Sequence, residues 1–252
     1  MTTLLSNISN DRLRTVAEKI ISGIRLDDDE GLLLFREADL PLLGILSGIV
    51  RQRKNGNRAF FNRNFHIEPT NKCIYNCRFC SYHKTEGDPE SWEFSHEQML
   101  EIVRSFDDKP ITEVHIVGGV HPSYDIYYYG GLVRKIREHR PSLHIKAFSA
   151  IELAYMIEKA GMTVREGLEY LKGCGLDSIP GGGAEIFDEE LRKNICDEKA
   201  TSEQWLMIHE TAHRLDIPSN ATMLYGHIET YSHRIDHMRR LRDLQDKTNG
   251  FN

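Results

Sequence analysis

Three cysteines lie close together in this chain, Cys73, Cys77 and Cys80, in a C-x3-C-x2-C pattern. Three thiolates can hold three corners of a four-iron cluster, and the fourth iron then keeps a free position for a small-molecule ligand. An iron with a free position can bind and activate that molecule. The pattern therefore predicts an iron–sulfur site with a catalytic function.

Two other roles for these cysteines stay open. His83 follows Cys80 by three residues and could complete a Cys3His zinc site, which would make the chain a non-catalytic zinc-knuckle protein. Disulfides are a weaker alternative, because the five cysteines are an odd number and disulfides are rare in reducing compartments. Cys174 and Cys196 stand alone in the sequence, and we expect them to be small buried residues.

A second motif, HETAH at residues 209–213, matches H-E-x-x-H, in which two histidines bind zinc and the glutamate is a general base. An apolar stripe runs from Trp205 to Leu215 along the same segment, which is typical of an outer barrel helix. We therefore expect these histidines beside or away from the core, and a metalloprotease is disfavoured. His233 and His237 repeat the spacing without the glutamate and are predicted at the surface.

Composition limits the possible partners. The 252 residues include 32 basic and 38 acidic side chains, and the net charge of −6 disfavours nucleic-acid binding. The chain is 40% hydrophobic and 28% charged, without the apolar run of about 20 residues that a membrane span needs. We expect a cytoplasmic protein that acts on a small molecule, with neither nucleic acid nor membrane as a partner.

The hydrophobic pattern divides the chain into two parts. Residues 1–58 are predicted as an N-terminal helical segment. In residues 59–252 strands alternate with helices, which is typical of a parallel sheet covered by helices, as in a (β/α) barrel. The predicted strands are residues 60–68, 112–117, 143–148, 176–179 and 219–225. The predicted helices are residues 95–106, 127–139, 151–172, 187–194, 202–215 and 230–247.

The predicted strands have one apolar and one polar face. Val114 and Ile116 point to one side of the second strand, and Glu113 and His115 point to the other. Because helices must cover the apolar side, the polar side should line the barrel interior and form a ligand chamber. The polar set on the other strands comprises His66, Glu68, His144, Lys146, Asn220 and Thr222.

Loops whose residues could bind a ligand follow several of the predicted strands. The cysteines follow the first strand, Gly118 and Gly119 follow the second, and glycines 181–183 follow the fourth. Active sites of (β/α) barrels lie at the C-terminal ends of the strands. Paired glycines also let the backbone approach a ligand closely. We expect all three loops on one rim.

Four stretches carry a closer resemblance, residues 68–71, 115–122, 177–185 and 220–230. Together with the cysteines they resemble the aminofutalosine synthase family of radical S-adenosylmethionine (SAM) enzymes, which serve the futalosine route to menaquinone. The resemblance implies a TIM-type radical SAM barrel with an N-terminal helical cap. A closed barrel needs eight strands and only five are predicted, so the chain is expected to be truncated at its C-terminus. Related alternatives are cyclic dehypoxanthine futalosine synthase and the deazaflavin-synthase type.

The resemblance also implies a reaction. A 4Fe–4S cluster reduced by a flavodoxin- or ferredoxin-type protein would cleave SAM to a 5′-deoxyadenosyl radical. In this family the radical adds to the enol-ether double bond of 3-[(1-carboxyvinyl)oxy]benzoate, and the product is 6-amino-6-deoxyfutalosine. The protein orients the cofactors and the substrate and excludes water and oxygen.

Site residues follow from the same resemblance. Cys73, Cys77 and Cys80 would bind the cluster. Val120 stands where many members of the superfamily have a glutamate, so the amino group of SAM is expected to contact backbone carbonyls. Candidate SAM contacts are Phe79 at the adenine, Gly118 and Gly119 at the methionine end, and Ser149 and Glu185. Candidate catalytic or substrate-binding residues are His66, Glu68, Lys146 and His227.

Overall fold

The computed structural model describes residues 5–252, which form two compact units. A helical unit comprises the chain up to Phe61 together with Thr230–Arg239, and a sheet unit comprises Asn62–Glu229 together with Arg240–Asn252. The domain division predicted at residues 58 and 59 stays a prediction, because compactness alone does not define a domain. Within residues 5–252 we find no helix with the length and apolar character that a membrane span requires.

The helical unit contains α1 (Asp11–Ser22), α2 (Asp28–Glu37) and α3 (Leu40–Asn55). Each helix begins after an Asn or Asp whose side chain accepts hydrogen bonds from the first free backbone N–H groups. The core of this unit consists of Ile8, Leu13, Val16, Ala17, Leu33 and Leu46.

The sheet unit begins with three parallel strands, β1 (Asn64–Ile67), β2 (Glu113–Ile116) and β3 (His144–Ala147), paired in chain order. Helices separate and follow them, as the alternating pattern predicts. These helices are α4 (His96–Arg104), α5 (Ile126–His139), α6 (Ala150–Lys159), α7 (Val164–Cys174), α8 (Glu189–Cys196), α9 (Ser202–Arg214) and α10 (Tyr231–Thr248). Residues 231–239 of α10 are assigned to the helical unit and residues 240–248 to the sheet unit.

The fourth and fifth predicted strands are shorter than expected. After β3 the parallel ladder continues only as single bridges, Lys146 to Ser178, Ile179 to Ser219 and Ser219 to Phe251. Pro218 and Pro180 flank these bridging residues, and proline has no N–H to extend a ladder. The order of the bridges still continues the barrel-like parallel arrangement in chain order.

The helix predicted at residues 151–172 is also divided. α6 and α7 are separated by Gly161, which has a left-handed φ of 68°, and by Thr163, which caps α7.

The first strand is shorter than predicted as well. β1 begins at Asn64, so Phe60 and Phe61 lie outside it and are exposed.

The two faces of the sheet differ as the alternation predicts. Phe65, Val114 and Ile145 are adjacent in register on the apolar face, and all three are buried in the main core. This face packs against the helices, with Met99, Leu132, Ile136, Leu153 and Trp205 among the fully buried side chains. The hydrophobic contact explains why short strands hold their register, since a shift of one residue would bury the polar face instead.

The histidines of the H-E-x-x-H motif are buried, contrary to the prediction. α9 is an outer helix as expected, but His209 and His213 point inward and both hydrogen-bond to Ser219 Oγ, at 2.7 and 2.8 Å. His213 Nδ1 also lies 2.7 Å from Thr248 Oγ1. His237, predicted at the surface, is likewise fully buried. The apolar stripe indicated the buried side of α9 but not that the adjacent histidines share it.

Candidate active site

The cysteine loop connects β1 to α4 and is fastened to the turn after β2. The Gly119 N–H donates to the Thr70 carbonyl at 2.7 Å, and the Ile74 N–H donates to the Val120 carbonyl at 3.0 Å. The Val120 N–H lies 3.3 Å from Cys73 Sγ. Backbone contacts from the neighbouring strand therefore position the first cysteine.

Gly119 makes this contact possible. A Cβ atom at this position would lie 2.2 Å from the Lys72 carbonyl oxygen, a separation that backbone atoms cannot accommodate. Gly119 is therefore required for packing, because it lets the turn approach the cysteine loop closely. This requirement is separate from any contact that Gly119 makes with a ligand.

The three cysteines line one small cavity of about 110 Å³. Gly118, Gly119 and Ser149, predicted as SAM contacts, line the same cavity. A larger cavity of about 580 Å³ adjoins it. The residues common to both linings are Tyr82, Gly118, Ser149, Glu152 and Gly183. Two compartments thus meet at the C-terminal ends of the strands.

The donor set fits an iron–sulfur cluster better than a zinc ion. Cys73, Cys77 and Cys80 are all free thiols that border one cavity. Within residues 5–252, however, no three His, Cys, Asp or Glu side chains converge closely enough to hold one metal ion. Zinc requires its donors within about 2.3 Å of a single centre. A four-iron cluster instead separates its thiolates, since each binds a different iron.

Desolvation affects the thiols. Burial raises the pKa of Cys77 to about 11, although Lys199 opposes that effect. Burial also raises the pKa of Cys73, opposed by N–H groups that include Val120. Cationic iron favours the thiolate form, so such a site binds metal with release of protons.

Lys199 is a site residue that the sequence did not indicate. Its Nζ lies 2.8 Å from Glu185 Oε1 and 5.1 Å from the centre of the Phe79 ring, and its charge opposes the rise that burial causes in the pKa of Cys77. Burial lowers the pKa of Lys199, but Glu185 and Cys77 outweigh that effect and the net pKa is raised. Phe79 and Glu185, predicted as SAM contacts, therefore lie together beside Cys77, although neither lines the two cavities.

Glu152 is a second residue that the sequence did not indicate. It forms a capping box with Ser149 at the start of α6, and the Gly118 N–H also donates to its Oε1 at 3.2 Å. Desolvation raises the pKa of Glu152 to about 7, against the opposing effect of these hydrogen bonds. The only sequence signal was the S-x-x-E pattern, which by itself predicts a helix start.

The larger cavity has the polar lining that the strand pattern predicts. Lys146 Nζ lies 3.2 and 3.1 Å from the two oxygens of Glu113, and both side chains are largely buried. His115 lines the same cavity, and its Nε2 is buried without a hydrogen-bond partner among residues 5–252. Glu68 lines it too, with its Oε2 3.3 Å from the Tyr82 hydroxyl.

The four candidate catalytic residues are only partly brought together. Glu68 and Lys146 line the larger cavity. His66 does not line it but places its ring 4.8 Å from that of His115. His227 lies in neither lining, and its Nε2 is instead 3.1 Å from the Leu224 carbonyl oxygen.

Curated relatives cover nearly the whole chain. It is 42% identical over 247 residues to the aminodeoxyfutalosine synthase of Thermus thermophilus and 40% identical over 238 residues to that of Streptomyces coelicolor. These alignments cover 98% and 94% of this chain but 66% and 62% of the relatives, so the chain spans less than two thirds of their length. It is also 40% identical over 213 residues to a 5-amino-6-(D-ribitylamino)uracil–L-tyrosine 4-hydroxyphenyl transferase of Methanothermobacter thermautotrophicus, covering 84% of this chain and 58% of that protein.

Solved structures share the fold at low sequence identity. Methylornithine synthase has a TM-score of 0.72 at 18% identity, covering 91% of this chain and 64% of that one. The FeFe-hydrogenase maturase HydG has a TM-score of 0.73 at 15% identity, covering 98% of this chain and 54% of that one. The pattern of the Radical SAM superfamily matches residues 67–241, which include the cysteine loop, the lining of the smaller cavity and most of the lining of the larger one. The chain therefore belongs to the radical SAM superfamily, whose members use a 4Fe–4S cluster and SAM.

Proposed function

We propose that this chain carries the radical SAM site of an enzyme that adds the 5′-deoxyadenosyl group of SAM to 3-[(1-carboxyvinyl)oxy]benzoate and forms 6-amino-6-deoxyfutalosine. The observation that carries the proposal is the joining of a cysteine-lined cavity to a polar cavity of about 580 Å³. The aminodeoxyfutalosine synthases at 42% and 40% identity support the choice of reaction.

Cys73, Cys77 and Cys80 would hold the cluster, and the Gly118–Gly119 turn would contact the methionine end of SAM. When bound, the reduced cluster supplies the electron that splits SAM into methionine and a 5′-deoxyadenosyl radical. Backbone hydrogen bonds hold the cysteine loop against the turn, so SAM bound by these residues would lie at the edge of the larger cavity. That cavity would shield the reacting groups from water.

The larger cavity would bind the two carboxylates of the substrate. Lys146 supplies a positive charge, which Glu113 holds in place by contacts of 3.1 and 3.2 Å. His115 Nε2 has no hydrogen-bond partner among the described residues, so the tautomer that is protonated there would donate to a carboxylate. Charge-assisted hydrogen bonds of this kind fix orientation as well as supplying affinity. A flavodoxin- or ferredoxin-type protein is the proposed electron donor.

The test is product analysis of the 252-residue chain after anaerobic reconstitution with iron and sulfide. We would incubate it with dithionite, SAM and the enol-ether benzoate, and search for the adenosyl adduct by mass spectrometry. Formation of 6-amino-6-deoxyfutalosine supports the proposal. Free 5′-deoxyadenosine without an adduct, or no cleavage of SAM, contradicts it.

A second reaction is favoured by one observation, the 40% identity to the tyrosine 4-hydroxyphenyl transferase. The same protein would be incubated with tyrosine and 5-amino-6-(D-ribitylamino)uracil in place of the benzoate. A coupled product in this reaction alone would replace the proposed substrate while leaving the cluster and SAM assignments unchanged.

A further inference from the structure

Glu152 differs from the other glutamates and glutamines that form capping boxes in the described chain. Each of these boxes pairs an N-cap side chain with a Glu or Gln three residues later, as in Thr163 with Glu166 and Thr201 with Gln204. Glu166 and Gln204 are exposed, whereas Glu152 is buried and lines both cavities. Helix capping does not require such burial, because an exposed residue makes the same bonds.

The carboxylate also has capacity for another hydrogen bond. Oε2 accepts from the Ser149 N–H and from the Ser149 hydroxyl, both at 2.7 Å, and Oε1 accepts from the Gly118 N–H at 3.2 Å. An ionised carboxylate offers about four acceptor positions. One position on Oε1 is therefore unused by these contacts.

Among residues 5–252, no cation pairs directly with the Glu152 carboxylate. Lys199 contributes a favourable field at Glu152, but its Nζ is bound to Glu185. Isolated buried charges are unfavourable unless a partner compensates for lost hydration. A ligand that brings N–H donors and positive charge into the cysteine cavity would provide that compensation.

The backbone before Glu152 supports a functional role. Phe148 has a left-handed φ of 61° although it is a bulky, fully buried side chain. Such a conformation is strained for a bulky residue and tends to occur where a site requires it. Here it turns the chain from β3 into the Ser149 cap and places Glu152 between the cavities.

We infer that Glu152 is a SAM-binding residue, whose Oε1 accepts a hydrogen bond from the α-amino group of SAM beside the Gly118 turn. This assignment rests on SAM as the cofactor of the proposed function but not on the identity of the second substrate. Val120, which follows β2, has no side-chain acceptor for the amino group of SAM. Glu152, which follows β3, would supply that acceptor.

The titratable groups on the elements around Glu152 determine how pH can be used as a test. Burial raises the pKa of Tyr82 and of Tyr129 above the ordinary value, and at Tyr82 the nearby Glu68 adds to this effect. The pKa of Lys199 is also raised. These groups keep their charge state between pH 6 and 8. His83 lines the smaller cavity and must be separated from Glu152 by comparing variants.

The experiment measures SAM binding by isothermal titration calorimetry on the oxidised, reconstituted 252-residue chain, without reductant so that SAM stays intact. In the wild-type protein we expect the dissociation constant to rise as pH falls below 7, approaching about tenfold per pH unit. Glu152→Gln should weaken binding at pH 8 by about tenfold or more, with a flatter pH profile and unchanged iron content. Glu166→Gln is the matched control and should bind SAM as the wild type does.

Two results would overturn the assignment. One is a Glu152→Gln protein with wild-type affinity and pH profile, and the other is a wild-type affinity that does not vary between pH 6 and 8. The second needs no variant, so it holds even if Glu152→Gln fails to fold. The benzoate is absent from these binding measurements. Failure to form the proposed product would therefore leave the Glu152 result unaffected, and a negative Glu152 result would leave the proposed reaction unaffected.

Discussion

Two regions of this protein carry sequence patterns that are typical of metal ligands, and they differ in surroundings. The three cysteines border a cavity that opens into a polar chamber. His209 and His213 are buried and bonded to Ser219, with the ring centre of His209 3.7 Å from that of Trp205. Space for a ligand, rather than donor type or spacing, distinguishes the candidate catalytic site from the structural one.

The same comparison shows that residues in metal-ligand patterns can serve different ends. At the cysteines, the donors keep free thiols directed at a cavity. At the histidine cluster, Ser219 and Thr248 occupy both ring nitrogens of His213, and Ser219 also occupies Nδ1 of His209. Hydrogen bonds within a packed core are worth about 1 kcal/mol each, so this arrangement stabilises the contact between α9 and the fifth strand position.

Removing one cysteine should have the largest effect. We expect Cys77→Ala to lower bound iron to background after reconstitution, because two thiolates cannot retain the cluster, and SAM cleavage should be lost with it. Iron analysis and the absorbance near 400 nm provide the measurement. The double variant His209→Gln/His213→Gln should keep its iron, and loss of iron in that protein would contradict the comparison.

Gly119→Ala should be nearly as severe for cluster binding. Its Cβ would lie 2.2 Å from the Lys72 carbonyl, so the cysteine loop must move away from the turn. We expect at least a tenfold loss of iron occupancy with the fold retained by circular dichroism. Gly173→Ala in α7 is the control, since no atom lies within 4 Å of its added Cβ, and it should leave iron content unchanged.

Lys146 should affect the second substrate more than SAM. Because removal of Lys146 alone would leave Glu113 buried and unpaired, we would change both, as Lys146→Met/Glu113→Gln. The KM for the benzoate should rise about tenfold or more, while SAM affinity stays within about twofold. A larger loss of SAM affinity than of substrate affinity would contradict the division of the two cavities.

The histidine cluster should give the smallest effect, on stability rather than activity. Burial lowers the pKa of His213 to about 4 and that of His209 well below its ordinary value, so below about pH 6.5 the unfolded chain binds more protons than the folded one. The free energy of unfolding should therefore fall by about 1–2 kcal/mol between pH 7.5 and 5 on account of His213, and His209 should add to that fall. Urea titrations of wild type and His209→Gln/His213→Gln measure it, and an identical pH dependence in the two proteins would contradict the assignment.

The sequence predicts those parts of the site that lie within short segments. The cysteine spacing, the glycine turn and the alternation of Val114 with His115 are local patterns, and the structure places all of them at the two cavities. The TIM-type parallel arrangement and the family are likewise confirmed. Local pattern suffices here because strand alternation and the order of βα units determine which side chains share a rim.

Features that depend on distant contacts could not be predicted. Lys199 reaches Cys77 and Glu185 only after α8 folds back, and Glu152 reaches Gly118 across two strands. The single-residue bridges at Ser178 and Ser219 follow from neighbouring prolines and strand ends, not from β propensity. The burial of His209 was not predicted, because an apolar stripe indicates which side of a helix faces the core but not how wide the buried face is.

The backbone hydrogen bonds of the cysteine loop have a consequence for maturation. Thr70, Ile74 and Val120 hold this loop through contacts that involve no metal. In many small metal-binding domains the ion organises the chain, and its removal unfolds them. Here the backbone contacts of the loop involve no metal, so we expect folding and iron delivery to be separable events. A protein that loses its iron by oxidation should then keep a folded loop that iron and sulfide can reconstitute.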